Sequence, residues 1–583
     1  MRNVLCCVLL VPVLALAAGN LRSETVVAPL VRSAGAGQVR DGGSPLPPAR
    51  TTALGTVDTI GGSIYDWVVN GPTYRFCVNS PGYGLHTLWM YSNDTVGTQA
   101  DRNMRYNFYD FASRAWYWID PDFMVSGVNV FTERSGFGSL AADPTNGAGI
   151  ASCHEGAIRP VVARDIAAGA GIFEYCDGSP TLDGYLWPPI DVCSDRSIQM
   201  HCVDDASRDN LWYSRATTWC TWDPAVAVNS VAATFPTQQV AASKTSNKVC
   251  LTWTKADAFP YVGYYRLSDD GGTNWGPETE FPNAPAFTPG SETLSTYYIT
   301  SLNPFYDAND RLHIIVDISA IIRDTVWGTP NEIWDWCADR TPEWSRVHRA
   351  EMDIHGSQST GTNAMFAVRP QLGRDNDGNL FAVWEQFDTL NIEPVTNLMR
   401  ADVWLSGSND NGITWTPGRM INNQSSTSKR FPSISDIAID GGSDYDTVAV
   451  FYIEDSIAGP KAGSSPVGVW SFNPMIMHKI PVDSIIVGIA EKPGAVPTRV
   501  ELSANPNPFE VRTAISYALP RAGDVSLVIY DATGRAVKTL ASGRVDAGRY
   551  TATWDASSFA AGVYFYSLTS AETSITKKLT LTH

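Results

Sequence analysis

The chain has 583 residues, a formal net charge of −18 at pH 7, and 44% apolar with 11% aromatic side chains. That apolar share suits large packed cores, and the length allows two to four domains. The acidic balance and the lack of clustered Lys and Arg exclude a nucleic-acid partner. Beyond the N-terminal stretch, no segment approaches the ~20 apolar residues that a transmembrane helix needs.

The N-terminal residues have the pattern of an export signal. Arg2 precedes an apolar run that closes on an Ala-Leu-Ala sequence ending at Ala17, which is a small-x-small cleavage pattern. We therefore predict a signal peptide over residues 1–17 and an exported mature chain. Residues 18–57 are rich in Gly, Ala, Pro and Ser without a period, so they predict a flexible leader.

Cysteines are confined to the first two thirds of the chain. Eight follow the signal peptide, all before residue 338, and an even number in an exported chain predicts some disulfides. The pairing stays open, and buried thiols are the alternative for each one. A segment around residues 177–196, which contains Cys193, is predicted as an insertion that a disulfide holds in place.

Repetition dominates residues 58–480. A recurrent unit starts with Pro, continues with a polar turn and an apolar run, and ends in an aromatic residue. Examples are residues 72–89, 236–253, 370–384 and 432–452. A weaker copy begins at Pro304, so the later copies start about 65 residues apart, which is room for four strands with their turns. We predict an all-β protein with a six-bladed β-propeller. Seven blades are the alternative, because two hairpin-like copies follow one another from Ser139 within one repeat's length.

Three of these units are followed along the chain by an Asp and then a Trp. In the stretch from Gly407 to Trp415, a short carboxylate can accept backbone N–H groups, Gly412 can adopt a positive φ, and the Trp can pack between strands. The pattern predicts a hairpin corner that satisfies its own polar groups.

This pattern resembles the Asp-box, or bacterial neuraminidase repeat, of sialidase-like propellers. Two copies match, and residues 109–116 form a degenerate third. The matching positions are Ser408, Asp410, Gly412, Thr414 and Trp415 in full, and Ser268, Asp270, Gly272 and Trp275 with Asn274 in place of Thr. The resemblance implies a structural motif at the outer edge of a blade, on the face away from the ligand site.

A sialidase would also need three arginines that clamp a substrate carboxylate, since planar guanidinium groups bind carboxylates bidentately. The candidates are Arg159, Arg369 and Arg430, which begin the first strands of their repeats. Only Arg430 is followed by a hydrophobic residue and Pro, and it lies in the last repeat rather than the first. The other interpretation is that all three are ordinary strand-edge arginines.

Metal sites have weaker signals. No motif for zinc, nucleotide or nucleophilic chemistry is present, and no cofactor is expected apart from calcium. The calcium candidates are the clustered carboxylates Asp375, Asp377, Asp440 and Asp444, although ordinary turns also explain them.

The repeat stops near residue 480. Residues 481–497 predict a linker, and residues 498–583 predict an immunoglobulin-like β-sandwich from their alternating strands and turns. This last stretch resembles the type A C-terminal sorting domain of the type IX secretion system, with matching residues Asn505, Pro506, Pro508, Gly534, Arg535, Gly562, Lys577 and Lys578. The resemblance implies an outer-membrane translocon as partner and a secreted or cell-surface location in a Gram-negative-type bacterium. A module that merely ends a secreted chain is the alternative.

These patterns leave three functions open. The leading prediction is a non-catalytic, exported propeller that binds a glycan or a protein. The first alternative is a sialidase-like glycoside hydrolase that uses Arg159, Arg369 and Arg430. A structural role in a surface layer is the third.

Overall fold

The computed structural model describes residues 54–582, except 96, 157, 178–181, 231, 256–261, 286–296, 323–324, 351–358, 362–363, 424, 441–445, 463–466, 487–499, 510, 546–547 and 571–572. The chain divides into two units, Met1–Ile489 and Ala490–His583. Within the described ranges, the regular structure is β-strand apart from two 3₁₀ helices, Phe123–Val125 and Val482–Ser484. Neither helix is long or apolar enough to cross a membrane.

Unit 1 contains seven antiparallel sheets among its described residues, numbered here in chain order. Sheet 1 has strands Cys77–Ser80, Gly84–Tyr91, Asn103–Asp110, Ala115–Trp116 and Val128–Asn129; sheet 2 has Ser135–Gly136, Leu140–Ala142, Gly149–Glu155, Pro160–Asp165 and Phe173–Asp177; sheet 3 has Tyr185–Leu186, Ile190–Val192, Ile198–Asp204, Leu211–Thr218, Thr221–Trp222 and Val226–Ala227.

The four remaining sheets have four strands each. Sheet 4 has Ala233–Ala242, Val249–Lys255, Val262–Ser268 and Thr279–Glu280; sheet 5 has Tyr297–Tyr306, Leu312–Ile322, Thr325–Trp336 and Trp344–Ala350; sheet 6 has Ala367–Arg374, Leu380–Ile392, Met399–Ser408 and Arg419–Met420; sheet 7 has Ser428–Ile434, Thr447–Asp455, Asn473–Pro481 and Thr56–Ser63.

Sheet 7 joins the two ends of unit 1. Its outermost strand is Thr56–Ser63, which pairs antiparallel with Asn473–Pro481 and places Thr56 opposite Lys479. The leader predicted over residues 18–57 is therefore too long at its C-terminal end, because Thr56 and Val57 already belong to the sheet. The backbone N–H of Leu54 also donates to the carbonyl of Ile421, at 3.1 Å.

The seven sheets form a ring. The inner strands of neighbouring sheets contact one another all the way round, and sheet 7 contacts sheet 1. The described residues of unit 1 thus contain one sheet more than the six predicted repeats, and as many as the alternative of seven. The reason lies in residues 135–227, which the repeat pattern treats as one unit with an insertion at 177–196. That supposed insertion contains Tyr185–Leu186 and Ile190–Val192, the first strands of sheet 3.

Second strands form the core because both of their faces are covered by neighbouring sheets. Every residue of Gly84–Tyr91 is buried, and so is every residue of Val249–Lys255. The aromatic residues that end the sequence repeat, Trp89, Trp253 and Trp384, are all fully buried. They anchor their strands between sheets, which accounts for the recurrence of a large aromatic at this position.

One disulfide, Cys176–Cys220, links the last strand of sheet 2 to sheet 3. The other described cysteines are free, buried thiols, namely Cys77, Cys153, Cys193, Cys202, Cys250 and Cys337. The predicted bridge in this region therefore exists, but it joins Cys176, directly before the segment 177–196, to Cys220, well after it, and leaves Cys193 as a free thiol.

Unit 2 is built from two antiparallel sheets. One contains Glu501–Asn505, Arg512–Leu519 and Gly548–Asp555, and the other contains Gly523–Asp531, Ala536–Val545, Gly562–Thr569 and Ser574–Leu581. Side chains from both sheets share one core, centred on Ile515, Leu527 and Trp554. This packing gives the short C-terminal unit a hydrophobic core of its own.

Candidate functional site

The inner strands of unit 1 run in the same direction. The backbone N–H of Phe76 donates to the Ser433 hydroxyl, and the backbone N–H of Asn79 donates to the Asp436 carboxylate. Both partners are three positions further along the chain in the second pair, so the inner strands of sheets 1 and 7 run parallel. Arg374 and Ile437 form a parallel bridge between sheets 6 and 7. The ring therefore has two distinct faces. We call the face where the inner strands begin the upper face, and the face where they turn into the second strands the lower face.

The two full turn motifs lie on the lower face, between third and fourth strands. Asp410 accepts the backbone N–H of Thr414 at 2.9 Å and the Thr414 hydroxyl at 2.6 Å, and Ser408 accepts the N–H of Gly412 at 2.8 Å. Ser268, Asp270, Gly272 and Asn274 repeat this arrangement. Hydrogen bonds from Asn274 lower the pKa of Asp270 to about 2. Both corners satisfy their own polar groups.

Each corner also docks on the preceding sheet. Arg340 of sheet 5 donates to the Gly412 carbonyl at 2.8 Å, and Trp415 donates to Ser345 at 3.1 Å. In the other copy, Arg215 of sheet 3 donates to the Gly271 carbonyl at 2.9 Å. Trp275 packs edge-on against Tyr213, with ring centroids 4.7 Å apart. The motif therefore fastens one sheet to the next.

On the upper face, the buried carboxylate of Glu385 accepts hydrogen bonds from three residue groups. Arg369 donates to it, Arg430 Nε lies 3.2 Å from Oε2, and the backbone N–H of Phe431 lies 2.8 Å from the same oxygen. Burial raises the pKa of Glu385, but the charges of Arg430 and Arg369 outweigh burial and hold that pKa below its usual value. Two of the three candidate arginines thus meet at one carboxylate.

Local backbone geometry produces this meeting. The register of the first strand shifts between Val368 and Gln371 in sheet 6, and between Arg430 and Ser433 in sheet 7. Arg369 and Phe431 lie inside these bulges with positive φ values of 59° and 55°. A bulge re-aims the side chains around it, and here both guanidinium groups lie over the Phe431 ring, each 4.9 Å from its centroid.

Arg159 does not join them. It lies at the start of a strand in sheet 2, where it pairs with Glu155 at 3.4 Å and Asp177 at 3.1 Å. Its side chain is 39% exposed, whereas Arg369 and Arg430 are buried. The structure therefore does not assemble the predicted three-arginine clamp, because the third arginine is held by acidic partners in another sheet.

Carboxylates surround the Arg369–Arg430 pair. Asp66 accepts the backbone N–H groups of Lys461 and Ala462 at 2.7 and 3.0 Å, and burial raises the pKa of Asp66 to about 6. Asp455 is also buried, and burial together with the charge of Asp66 raises its pKa well above the usual value. With Glu385, these carboxyl groups outnumber the two arginines by three to two. This half of the upper face has no surplus positive charge for an anion.

A second cluster on the upper face joins sheets 1, 2 and 3. Arg102 lies over the rings of Tyr65 and Phe137, 5.7 and 5.3 Å from their centroids. His154 stacks on Phe137 with ring planes 6° apart, and the backbone N–H of Trp187 points at His154 Nδ1 from 3.5 Å. Tyr65 precedes Asp66, so neighbouring residues of one loop belong to the two clusters.

Positive charge dominates this second cluster. Burial, and then the charges of Arg102, Arg134 and Arg208, lower the pKa of His154 to about 3, so its imidazole is neutral. Arg102 donates to the carbonyl of Ser135 at 3.0 Å, and Arg134 donates to a backbone carbonyl at 2.8 Å. Within the described residues neither forms an ion pair.

The remaining arginine of this cluster is at its rim. Arg208 is exposed, pairs with Asp205 at 3.1 Å and lies 5.5 Å above the Trp187 ring. Arg102, by contrast, has no carboxylate partner among the described residues and lies over aromatic rings, an arrangement that suits the carboxylate or sulfate group of a sugar. Sequence reasoning missed this cluster because its members come from loops and strand ends of three sheets, without any common spacing.

Three of the four calcium candidates, Asp375, Asp377 and Asp440, are among the described residues. Asp375 is buried and accepts the backbone and side-chain N–H groups of Asn379, at 2.8 and 2.5 Å. Burial raises the pKa of Asp375. Asp444 lies outside the described residues, and in the part of the chain that is described no group of three or more His, Cys, Asp or Glu side chains could hold a metal ion.

The sorting-domain candidates are spread over unit 2. Gly534 has a φ of 83° in a turn where Asp531 accepts the backbone N–H of Arg535 at 3.1 Å. Lys577 and Lys578 lie exposed on the last strand. Asn505 ends the first strand, Pro506 accepts from Thr513, Pro508 follows a cis peptide bond, and Gly562 begins the strand before the last.

Residues 503–582 match the family described as "Secretion system C-terminal sorting domain". This match confirms the predicted sorting domain and indicates a secreted or cell-surface protein with a secretion system as its partner. No curated protein matches the chain.

Several solved structures resemble the chain at low identity. An ulvan lyase of polysaccharide lyase family PL25 is 10% identical, with 74% of this chain and 95% of that chain covered, at a TM-score of 0.45. The α-L-arabinanase of Penicillium chrysogenum complexed with arabinobiose is 10% identical, covering 75% and 100%, at 0.39. The six-bladed, fucose-recognising lectin of Aleuria aurantia is 11% identical, covering 59% and 94%, at 0.32. These values are too low to transfer an activity.

Proposed function

We propose that this protein is an exported, seven-bladed β-propeller of the Asp-box type that binds an acidic glycan on its upper face. The observation that carries the proposal is the pair Arg102 and Arg134, which lack carboxylate partners among the described residues and lie beside a neutral His154. In a chain with a net charge of −18, a positive site of this kind selects for anions.

A carbohydrate is the preferred ligand because aromatic rings accompany the arginines. Trp187 lies under Arg208, and Tyr65 and Phe137 lie under Arg102. A sugar ring with a carboxylate or sulfate can contact both kinds of surface, whereas a free inorganic anion uses only the charge. The sialidase-like alternative loses support, because its three candidate arginines do not share one site.

Cleavage of the same ligand is a second candidate, favoured by one observation. His154 and Tyr65 both pack against Phe137 under Arg102, His154 is neutral, and burial raises the pKa of Tyr65. A neutral imidazole can take a proton, a protonated phenol can give one, and an arginine can neutralise a uronate carboxylate. Together these groups suit an elimination that breaks the glycosidic bond next to a uronic acid.

The test uses the mature chain and three oligosaccharides: a hexuronate, a sulfated glycan and a neutral dextran. Calorimetric titration should show binding of an anionic probe that weakens with salt. Arg134→Ala combined with Arg208→Ala should lower the affinity at least tenfold, while Arg419→Ala, an exposed arginine of sheet 6, should leave it unchanged. Equal binding of dextran, or an unchanged affinity in the double variant, would refute the proposal.

The same samples separate binding from cleavage. An elimination creates an unsaturated uronate, which absorbs ultraviolet light. Growth of that absorbance with the wild type and its loss in His154→Gln would make this protein a lyase. Constant absorbance with retained binding would make it a binding module.

For unit 2, we propose an immunoglobulin-like sandwich of the type A sorting class that is recognised by an outer-membrane translocon. The family match over residues 503–582 supports this assignment. The two sheets with one shared core are consistent with the sandwich.

A further inference from the structure

The lower face contains a cavity that the proposed function does not use. Its volume is about 300 Å³, and residues of all seven sheets line it. Because every sheet contributes, the cavity lies where the sheets converge. It is at the far end of the inner strands from the arginine clusters, among hairpin residues such as Ser80, Asp143 and Lys244.

Two buried amide groups in the cavity wall each have one polar atom without a hydrogen-bond partner among the described residues. Asn79 donates its Nδ2 to the carbonyl of Ala438 at 2.9 Å, which fixes the amide and leaves Oδ1 without a hydrogen bond. Gln239 Nε2 also has no partner. The two residues are 4% and 6% exposed. Leaving such groups unpaired is costly, so one acceptor and one donor are available to a ligand.

An aromatic ring stands at the edge of this cavity. Tyr83 lines it and is 43% exposed. The ring rests on Gly147, where a Cβ would lie 2.5 Å from the ring carbons, so the glycine allows this close contact. The ring is therefore held from one side while the other side is accessible. Such a rigid aromatic surface suits stacking of a sugar ring.

Charge argues for a neutral ligand. Three cationic and three anionic side chains line the cavity, namely Arg75, Lys244, Arg374, Asp143, Asp191 and Asp436. Lys244 pairs with Asp191, and Asp143 pairs with Arg196 at 2.7 Å. Arg75 donates to the carbonyls of Ile434 and Leu372, at 2.7 and 3.2 Å. The cavity thus has no net formal charge, in contrast to the second cluster on the upper face.

We propose that this lower-face cavity binds one neutral sugar unit, which stacks on Tyr83 and exchanges hydrogen bonds with Asn79 and Gln239. Its volume lies at the lower end of the range for small-molecule sites. The sugar can be free or the end of a glycan chain, and both present the same hydroxyl-rich ring. This inference stands apart from the acidic-glycan proposal, because it concerns the opposite face and other residues.

Saturation-transfer NMR on the mature chain tests it, with D-glucose, D-galactose, D-mannose and L-fucose as probes. At least one should show saturable binding. Tyr83→Ser should weaken that binding at least fivefold, and the exposed residue Tyr117 provides the control Tyr117→Ser in the same sheet. Gln239→Leu should weaken it as well. Thermal unfolding checks the fold of Gln239→Leu, because removal of an unpaired buried donor should not lower stability.

The outcomes are separable. A tetrasaccharide that ends in the bound sugar distinguishes a free sugar from a glycan end, since only a site open to a chain binds both. Unchanged binding by Arg134→Ala with Arg208→Ala supports the cavity, and loss in that variant places the sugar on the upper face and overturns the proposal. Absence of saturable binding by all four sugars, or unchanged binding in both Tyr83→Ser and Gln239→Leu, also overturns it.

Discussion

Phe431 donates its backbone N–H to the Glu385 carboxylate at 2.8 Å while its own backbone adopts a positive φ of 55°. The bulge in sheet 7 and the ion cluster in sheet 6 are thus two parts of one arrangement. A β-bulge can be held in place by a side chain of the neighbouring sheet, and here one carboxylate does so while pairing with two arginines.

Glu385→Gln should therefore destabilise unit 1. The change leaves Arg369 and Arg430 buried without their carboxylate, and breaking a buried ion pair typically costs about 3–5 kcal/mol. Denaturant unfolding followed by tryptophan fluorescence measures the effect. Glu174→Gln is the matched control, because Glu174 pairs with Arg164 near the surface and should contribute less than about 1 kcal/mol. Equal losses in the two variants would contradict this view of the cluster.

Stability should depend on pH through Asp66. Burial raises its folded-state pKa to about 6, above the unfolded value, so the folded protein binds the proton more tightly. Stability should then fall as pH rises from 4 to 7, with Asp66 contributing about 2–3 kcal/mol of that fall. Asp66→Asn removes the titrating group, keeps one of the two acceptor oxygens that the backbone N–H groups of Lys461 and Ala462 use, and should flatten the profile. A pH profile of thermal unfolding identical to that of the wild type would exclude Asp66 as the source.

The turn motifs should matter for stability and not for binding. Asp410→Ala removes the acceptor for Thr414, and loss of such a turn-capping carboxylate typically costs about 1–2 kcal/mol. Asp410 lies on the lower face at an outer edge, so affinity for the acidic oligosaccharide should not change. A loss of affinity without a loss of stability would give this motif a role in the site.

Reduction of Cys176–Cys220 should loosen the connection of sheets 2 and 3. Disulfides typically contribute about 2–4 kcal/mol, and this one spans 44 residues. Non-reducing peptide mapping should find this bridge. The six buried thiols should resist alkylation until the protein unfolds, and rapid labelling of Cys193 in the native state would contradict its burial.

Removal of unit 2 should prevent surface delivery. A chain that ends near residue 490 keeps unit 1 and lacks the sorting domain. In its native host it should remain in the periplasm, as shown by cell fractionation. Lys577→Ala with Lys578→Ala, which changes two exposed residues of the last strand, is a milder variant that tests recognition with the unit still folded. Normal surface appearance of the truncated chain would remove the sorting assignment.

Local patterns predicted the elements that depend on local physics. The hairpin that ends in Trp253 and the corner around Asp410 were readable because a strand pair and a tight turn are determined by neighbouring residues. Sheets 2 and 3 were merged because their first strands are only two or three residues long, too short for any periodicity to show.

The site was harder to predict because it depends on which chain segments the ring brings together. Arg369 and Arg430 lie 61 positions apart, yet both pair with Glu385. The two bulges that allow this have no recognisable residue pattern. Arg159 looked equivalent in sequence, but its acidic neighbours Glu155 and Asp177 come from the strands on either side of it. His154 gained its importance only from arginines contributed by loops.

The pairing of Thr56–Ser63 with Asn473–Pro481 also has a consequence for biogenesis. The first described strand, Thr56–Ser63, can pair only after a partner made about 400 residues later, so sheet 7 stays incomplete through most of synthesis. Until then, the chain exposes unpaired strand edges that invite aggregation. Because the sorting domain follows this last strand closely, the ring becomes able to close only shortly before the delivery signal itself is complete.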